Sequence, residues 1–255
     1  MIAKLPASDP NLRSEAILYT AHHDHLGAGE PDEKGDRIYN GAIDNASGCA
    51  VLLELARVWA STSPAPKRSI IFNAVAAEEQ GLLGSKYYGQ HPSIPVGQIA
   101  LAINFDSIPE LGRVRDVTML GVERTTFLPT VEKVATAMRL TIVPDQEPEQ
   151  GYYYRSDHFS LAKVGIPAFS IEAGQDIIGK PPGWGKAQSA DYREHRYHQP
   201  SDQFDPNWDW SEGVQMAQLG YWLGWEAALA STMPIWLPGD EFRAAREKSL
   251  RSVAK

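Results

Sequence analysis

Histidine and carboxylate side chains crowd the stretch Thr20–Ala21–His22–His23–Asp24–His25–Leu26–Gly27. Imidazole and carboxylate are the usual nitrogen and oxygen ligands of divalent metal ions. Further candidates follow along the chain: Asp44 beside Asn45, the adjacent pair Glu78 and Glu79, then Asp106, and late in the chain His195 and His198. Cys49 is the only cysteine, so an internal disulfide is impossible and a metal must be held by histidine and carboxylates.

Apolar runs show which elements must carry these groups. Ala16–Thr20 reads as a buried strand with the histidine cluster at its C-terminal end. Arg68–Ala76 is a second strand and runs into Ala77–Glu78–Glu79–Gln80–Gly81; Ile99–Phe105 is a third and ends in Asp106. Val117–Val122, Thr141–Val143 and Pro167–Ile171 follow as strands. Helical spacing after Gly48 sets Leu52, Leu55, Ala56 and Trp59 on one face. Leu82–Gln90, Thr126–Leu140, Ser156–Val164 and Trp208–Leu229 are further helices, with Ser156 or Asp157 capping the third of these. Residues 1–14 read as a lead-in without an element, Gly27–Tyr39 as a loop, Gly174–Asp191 as a long functional or mobile loop, and 232–255 as a tail with a short surface helix. No repeat or linker interrupts the chain, which predicts a single domain over 1–255. Alternating strands and helices predict an α/β fold, a three-layer αβα sandwich with a mostly parallel, mixed central sheet. Open sheets of this kind bind ligands outside the carboxyl ends of their strands.

Each candidate has an ordinary explanation. Asp44 or Asn45 can cap the following helix, and Glu78 and Glu79 suit the first turn of the next one. Several such groups ending successive strands of one sheet are much harder to explain as coincidence. A histidine and carboxylate set suits zinc, manganese or cobalt. Five ligands are too many for one tetrahedral ion with an open position. They suit two ions about 3.5–4 Å apart that share a bridging carboxylate, as in aminopeptidase-type hydrolysis.

Composition narrows the alternatives. The chain has 255 residues, 43% of them hydrophobic and 22% charged, as expected of a globular domain. Its net charge of −8 and lack of a basic stripe argue against a nucleic-acid partner. No run approaches the ~18 apolar residues of a membrane span. No signal peptide opens the chain, although a trimmed exported protein would read the same.

Five blocks, His22-x-Asp24, Asn-Gly-Ala-Ile-Asp44-Asn-Ala-Ser-Gly, Ala-Ala-Glu78-Glu79-Gln-Gly-Leu-Leu-Gly-Ser, Ile-Asn-Phe-Asp106 and Tyr197-His198-Gln-Pro-Ser-Asp, resemble the co-catalytic zinc aminopeptidases of peptidase family M28 in order and spacing. The resemblance implies that His22, Asp44 and Asp106 bind one zinc, and that Asp44, Glu79 and His198 bind a second, with Asp44 as the bridge. It implies that Asp24 orients His22, that Glu78 is the general base and acid, that Tyr197 polarises the scissile carbonyl, and that the peptide bond after Asp44 is cis. It further implies a peptide substrate with a free N-terminus and an exported protein. His198 fits the last block better than His195. Strand alternation turns His23 away from His22 and makes His25 an outer contact at most. His91 reads as solvated, and His158 either starts a helix or neighbours the pocket. Tyr152, Tyr153, Tyr154 and Trp184 either shape a specificity pocket or pack their loops. Three other readings stand beside it: a one-zinc glutaminyl cyclase and a non-catalytic binding domain of the same fold, and a carboxypeptidase or deacylase with a similar dinuclear site that grips a substrate carboxylate through Arg155. A sparsely covered sheet edge would allow a homo-oligomer.

Overall fold

Ala16–His22 and Ile99–Phe105 are buried at every position. Only central strands covered on both faces are buried in this way. The structure, a computed structural model, describes residues 1–253; the last two residues of the expected tail lie outside the described residues. The chain runs β1 (Ile2–Leu5), β2 (Ala16–His22), β3 (Gly27–Ala28), β4 (Ile38–Tyr39), α1 (Gly48–Ser61), β5 (Ser69–Val75), α2 (Leu83–Gln90), β6 (Ile99–Phe105), β7 (Asp116–Leu120), α3 (Leu128–Ala137), β8 (Thr141–Ile142), α4 (Asp157–Lys163), β9 (Ala168–Ala173), α5 (Trp184–His195), α6 (Ser211–Leu229) and α7 (Arg243–Val253). Seven strands form one sheet in the order β1-β5-β2-β6-β9-β7-β8. β5, β2, β6 and β9 are parallel, whereas β1 and β7 run antiparallel to their neighbours β5 and β9.

Alternation along β2 feeds two cores. Ile17, Tyr19 and Ala21 pack with Leu52, Leu55 and Trp59 of α1 and with Met216, Leu219 and Leu223 of α6. Ala16 and Leu18 pack on the other face with Tyr88 of α2, with Leu161 and Ala162 of α4, and with Trp236 and Phe242. These two cores make the three layers. α6 approaches closely because Gly220 and Gly224 carry no side chain: a Cβ on Gly224 would lie 1.7 Å from the Tyr19 hydroxyl. That hydroxyl donates to the Gly220 carbonyl at 2.8 Å.

Three expectations are corrected. The lead-in contains β1, which pairs antiparallel with β5. Four residues alone show no clear period; the exposed edge of β5 supplies the partner. Gly27–Tyr39 is not all loop, since β3 and β4 pair as a short hairpin. The predicted loop over 174–191 gives way to α5 from Trp184 onward. This helix buries only Gly185 and so has no apolar stripe to read. It is held by polar contacts, among them a two-pronged ion pair of Arg193 with Glu147 at 2.7 Å for each bond.

The connection from β6 to β7 is tied to the start of α6 by buried carboxylates. Glu212 accepts the Leu111 N–H at 2.5 Å, and Glu110 accepts the Gly213 N–H at 3.3 Å. Burial pushes the Glu212 carboxyl up to about 8 and the Glu110 carboxyl up to about 7, with repulsion from neighbouring acids adding to both. A carboxyl whose pKa is raised on folding is protonated in the native chain while the unfolded chain has already ionised. Stability therefore falls as pH rises from the unfolded value, about 4.3, towards the folded one. At pH 8, Glu212→Gln is expected to gain on the order of 2 kcal/mol over the parent. The gain should shrink towards pH 5. Melting curves at both pH values check this, and a gain independent of pH would refute it.

Candidate metal centre

The site lies where the sheet changes direction. β2 sits between β5 and β6, so the connection after β2 and the one after β5 lead to opposite sides of it. Such a switch point opens a crevice at the carboxyl ends of the central strands. His22 ends β2, Glu78 and Glu79 follow β5, and Asp106 follows β6. Past β5 the chain turns sharply. Ala77 has φ 57°, a left-handed conformation that costs a non-glycine residue roughly 1–2 kcal/mol. Gly81 and Leu82 then fold back to donate to the Glu78 carbonyl at 2.9 and 2.7 Å.

Asp44 stands in an irregular turn, Ala42–Ser47, that is pinned from three directions. The Asp202 carboxylate accepts the N–H groups of Ile43 and Asp44 at 3.0 and 3.1 Å. Asn45 donates to the Phe105 carbonyl at 3.0 Å, and its side-chain oxygen accepts from Gly48 at 3.0 Å and from Ser107 at 3.1 Å. Asn45 thus takes the capping role and leaves Asp44 free to face the crevice. The Asp44–Asn45 peptide is cis. His198, at φ 57°, enters from the loop after α5.

Five side chains singled out from the sequence come together here. His22 Nε2 is 3.2 Å from Asp44 Oδ1 and 3.2 Å from Asp106 Oδ1. His198 Nε2 is 3.3 Å from Asp44 Oδ2 and 3.0 Å from Glu79 Oε2. The two oxygens of Asp44 therefore face different histidines. Two ligands of one tetrahedral zinc, each about 2.0–2.2 Å from the ion, stand about 3.3 Å apart, and all four separations lie within a few tenths of that. His198 Nε2 is buried yet forms no aligned hydrogen bond with either carboxylate. The donor set, its spacing and this unsatisfied atom fit a divalent cation.

Electrostatics agree. Burial alone would lower the His22 pKa, but Asp106 and Asp44 outweigh it and raise the pKa strongly. Asp44 and Glu79 pull His198 up to about 9. Burial opposes ionisation of Asp44 and Glu79, but the facing imidazoles hold both below the usual carboxylate range, Glu79 at about 2. Glu78 differs: it faces no histidine as closely, and burial followed by repulsion from Asp106 pushes it up to about 9.

Other candidates are sorted by the same geometry. Asp24 does not bond His22 through its carboxylate, which stays 3.9 Å away; its main-chain carbonyl lies 3.1 Å from His22 Nδ1 instead. His25, expected to be peripheral, has Nδ1 2.8 Å from Glu79 Oε1. β2 ends at His22, so strand alternation no longer governs residues 23–25. His23 is exposed, His91 stacks on Tyr87 at the surface, and His195 is exposed beside Asp191. His158 is fully buried against Tyr153 and lies off the crevice. Ser156 makes no cap bond; its hydroxyl donates to Asp106 Oδ2 at 2.6 Å. Sequence reading missed this contact, although Ser156-Asp157-His158 was the available signal. Tyr197 stacks on His198 at 3.8 Å, and its hydroxyl accepts from Arg155 at 3.4 Å. The crevice opens into a cavity of about 560 Å³ walled by Tyr152, Tyr154, Arg155, Glu172 and Tyr197; Trp184 is not among its walls. Among the described residues, no helix is long and apolar enough to cross a membrane.

Comparison with known proteins places the chain in a family. The model for "Peptidase family M28" matches residues 1–221. A probable zinc metalloprotease of Pyrenophora tritici-repentis is 42% identical over 91 residues, covering 36% of this chain and 20% of that protein. Leupeptin-inactivating enzyme 1 of Streptomyces exfoliatus is 26% identical over 211 residues, covering 79% of this chain and 42% of the relative. The solved aminopeptidase of Aneurinibacillus sp. strain AM-1 shares the fold, with a TM-score of 0.61 and 23% identity over 94% of this chain and 50% of that one. The chain thus spans half or less of the length of these relatives. Matched over residues 1–221, with histidine and carboxylate side chains converging at the ends of its central strands, the chain belongs to peptidase family M28, a family of zinc peptidases.

Proposed function

We propose that this chain is one catalytic domain, residues 1–255, of an aminopeptidase that hydrolyses the peptide bond beside a free N-terminus and uses two zinc ions. The observation that carries the two-ion reading is the division of the Asp44 carboxylate, Oδ1 towards His22 and Oδ2 towards His198. In this reading His22, Asp44 and Asp106 hold one ion, and Asp44, Glu79 and His198 hold the other. Bound zinc supplies Lewis acidity and an activated water at neutral pH. Manganese or cobalt would suit the same donors.

The chain's own residues do the rest. Glu78 sits in the cavity wall next to Glu79, with donor atoms of His22, Glu78 and Glu79 within 4.8 Å of one another. Burial and repulsion hold Glu78 protonated on their own, but a divalent cation held beside it would favour its ionised form; as a carboxylate it takes the proton from the attacking water and delivers it to the leaving amine nitrogen. Burial raises the Tyr197 pKa strongly, so its hydroxyl keeps a proton to donate towards the scissile carbonyl oxygen. A free α-ammonium group is held by the acidic end of the cavity, which favours exopeptidase cleavage. Asp24 supports His22 through its main-chain carbonyl.

The test is a substrate panel with zinc-loaded protein: amino-acid p-nitroanilides, N-blocked peptides and N-terminal glutamine peptides. Hydrolysis of free-amine substrates alone, with two zinc ions per chain by elemental analysis, is the expected outcome. Cyclisation of the glutamine peptides would favour a glutaminyl cyclase, cleavage of N-blocked peptides a carboxypeptidase or deacylase, and absence of turnover a binding domain.

A further inference from the structure

The cavity that contains the zinc ligands has walls of opposite sign. Near the sheet the groups are those of the metal centre. Five basic side chains line the same cavity: Lys86, Arg155, Lys163, Arg193 and Arg196. Only two acids outside the metal centre, Glu147 and Glu172, share that wall. Glu147 is engaged with Arg193. Burial, then repulsion from Asp106, pushes Glu172 up to about 8, so it opposes the cations weakly at neutral pH.

The remaining cations have no full partner. Lys86 Nζ donates to the Gly81 carbonyl at 2.6 Å. Lys163 lies 4.9 Å over the Phe159 ring. Arg155 donates to the Tyr197 hydroxyl at 3.4 Å and to the Gln150 carbonyl at 3.5 Å. Arg196 has its closest carboxylate, Asp191, 3.9 Å away. Among the described residues, Lys86, Arg155 and Lys163 face no carboxylate within ion-pair distance. Isolated surface lysines need no explanation. Here the cations come from α2, α4 and two loops and converge on one cavity of a chain whose net charge is −8. A local excess of one sign in a cleft concentrates ligands of the other sign.

We propose that this basic wall binds a carboxylate of the substrate, and that the preferred substrates are short peptides gripped by charge at both ends. The proposal rests on the aminopeptidase reading, which puts the α-ammonium at the acidic end. A cavity of about 560 Å³ is of the size that encloses a small ligand. A peptide of two or three residues fits a cavity of that size, so its C-terminal carboxylate shares the cavity with those cations. In a longer peptide only an acidic side chain just after the cleaved bond could reach them.

Four kinds of substrate test this: leucyl-glycine and leucyl-glycyl-glycine, their C-terminal amides, leucyl-glutamyl amide, and leucine p-nitroanilide. The free acids should exceed their amides about 5- to 20-fold in kcat/KM, as several partly exposed charge contacts would give. Lys86→Glu, Lys163→Glu and their combination should erase that preference while leucine p-nitroanilide, which has no carboxylate, stays within about twofold of the parent. Fast cleavage of leucyl-glutamyl amide would assign the carboxylate to a side chain; slow cleavage would assign it to the C-terminus. Calorimetric binding of leucyl-glycyl-glycine and its amide to Glu78→Gln reads the same preference without turnover. Equal rates and equal binding for acids and amides would overturn the proposal while leaving the aminopeptidase reading intact. Loss of leucine p-nitroanilide hydrolysis in the parent would instead overturn the aminopeptidase reading, and this proposal with it.

Discussion

Glu78→Gln is expected to keep its full zinc content and to lose about 10²–10⁴-fold in kcat, the usual share of a general base. The substitution preserves shape and removes only the ability to accept a proton. Zinc should stay because Glu78 is not among the groups that face His22 or His198 most closely. Its neighbour predicts the opposite pattern. Glu79 reaches His198 with one oxygen and His25 with the other, so Glu79→Gln should shed metal and lose activity through that loss. Elemental analysis beside single-turnover kinetics separates the two variants. If Glu78→Gln retains zinc and also retains most of its activity, another group moves the proton.

Much of this candidate site is legible in the sequence because its histidine and carboxylate groups sit where strands end, and buried strands are the easiest elements to read. β2 and β6 are uniformly apolar runs, and the groups just after them are fixed in space by the sheet. That logic stops where the strand stops. His25 lies three residues past the end of β2, and its contact with Glu79 follows from loop geometry that alternation cannot supply. The same holds for Asp24, whose main chain rather than side chain meets His22. Asp202 supports Asp44 from 158 residues away, a contact that only the folded chain brings about. α5 was illegible for a different reason. A helix held by Arg193 with Glu147 and burying only Gly185 has no apolar period to detect. β1 was illegible because its stability resides in its partner β5.

Removing the metal should be the largest perturbation of stability. Asp44, Glu79 and Asp106, with Glu78 beside them, crowd four carboxyl groups around two histidines, and Asp44 is buried. Without compensating cations these groups repel, and the loops that carry them are held by fewer constraints. An ion present at about 1,000 times its dissociation constant stabilises a fold by about 4 kcal/mol. For a domain of this size that corresponds to a fall of roughly 8–16 °C in melting temperature on chelation. The loss should be local before it is global. The Asp44 turn, the Ala77–Leu82 turn and the His198 loop meet at the site, and the first and last of these are also joined through Asp202. The core around Trp236 and Phe242 lies on the face covered by α2 and α4 and includes no metal-facing side chain. Hydrogen exchange with and without chelator should therefore show protection lost first around residues 42–47, 77–82 and 196–202, with the Trp236 core little changed until global unfolding. Equal melting temperatures in the two states would mean that these carboxylates are compensated by the protein itself and that the centre is not built around a cation.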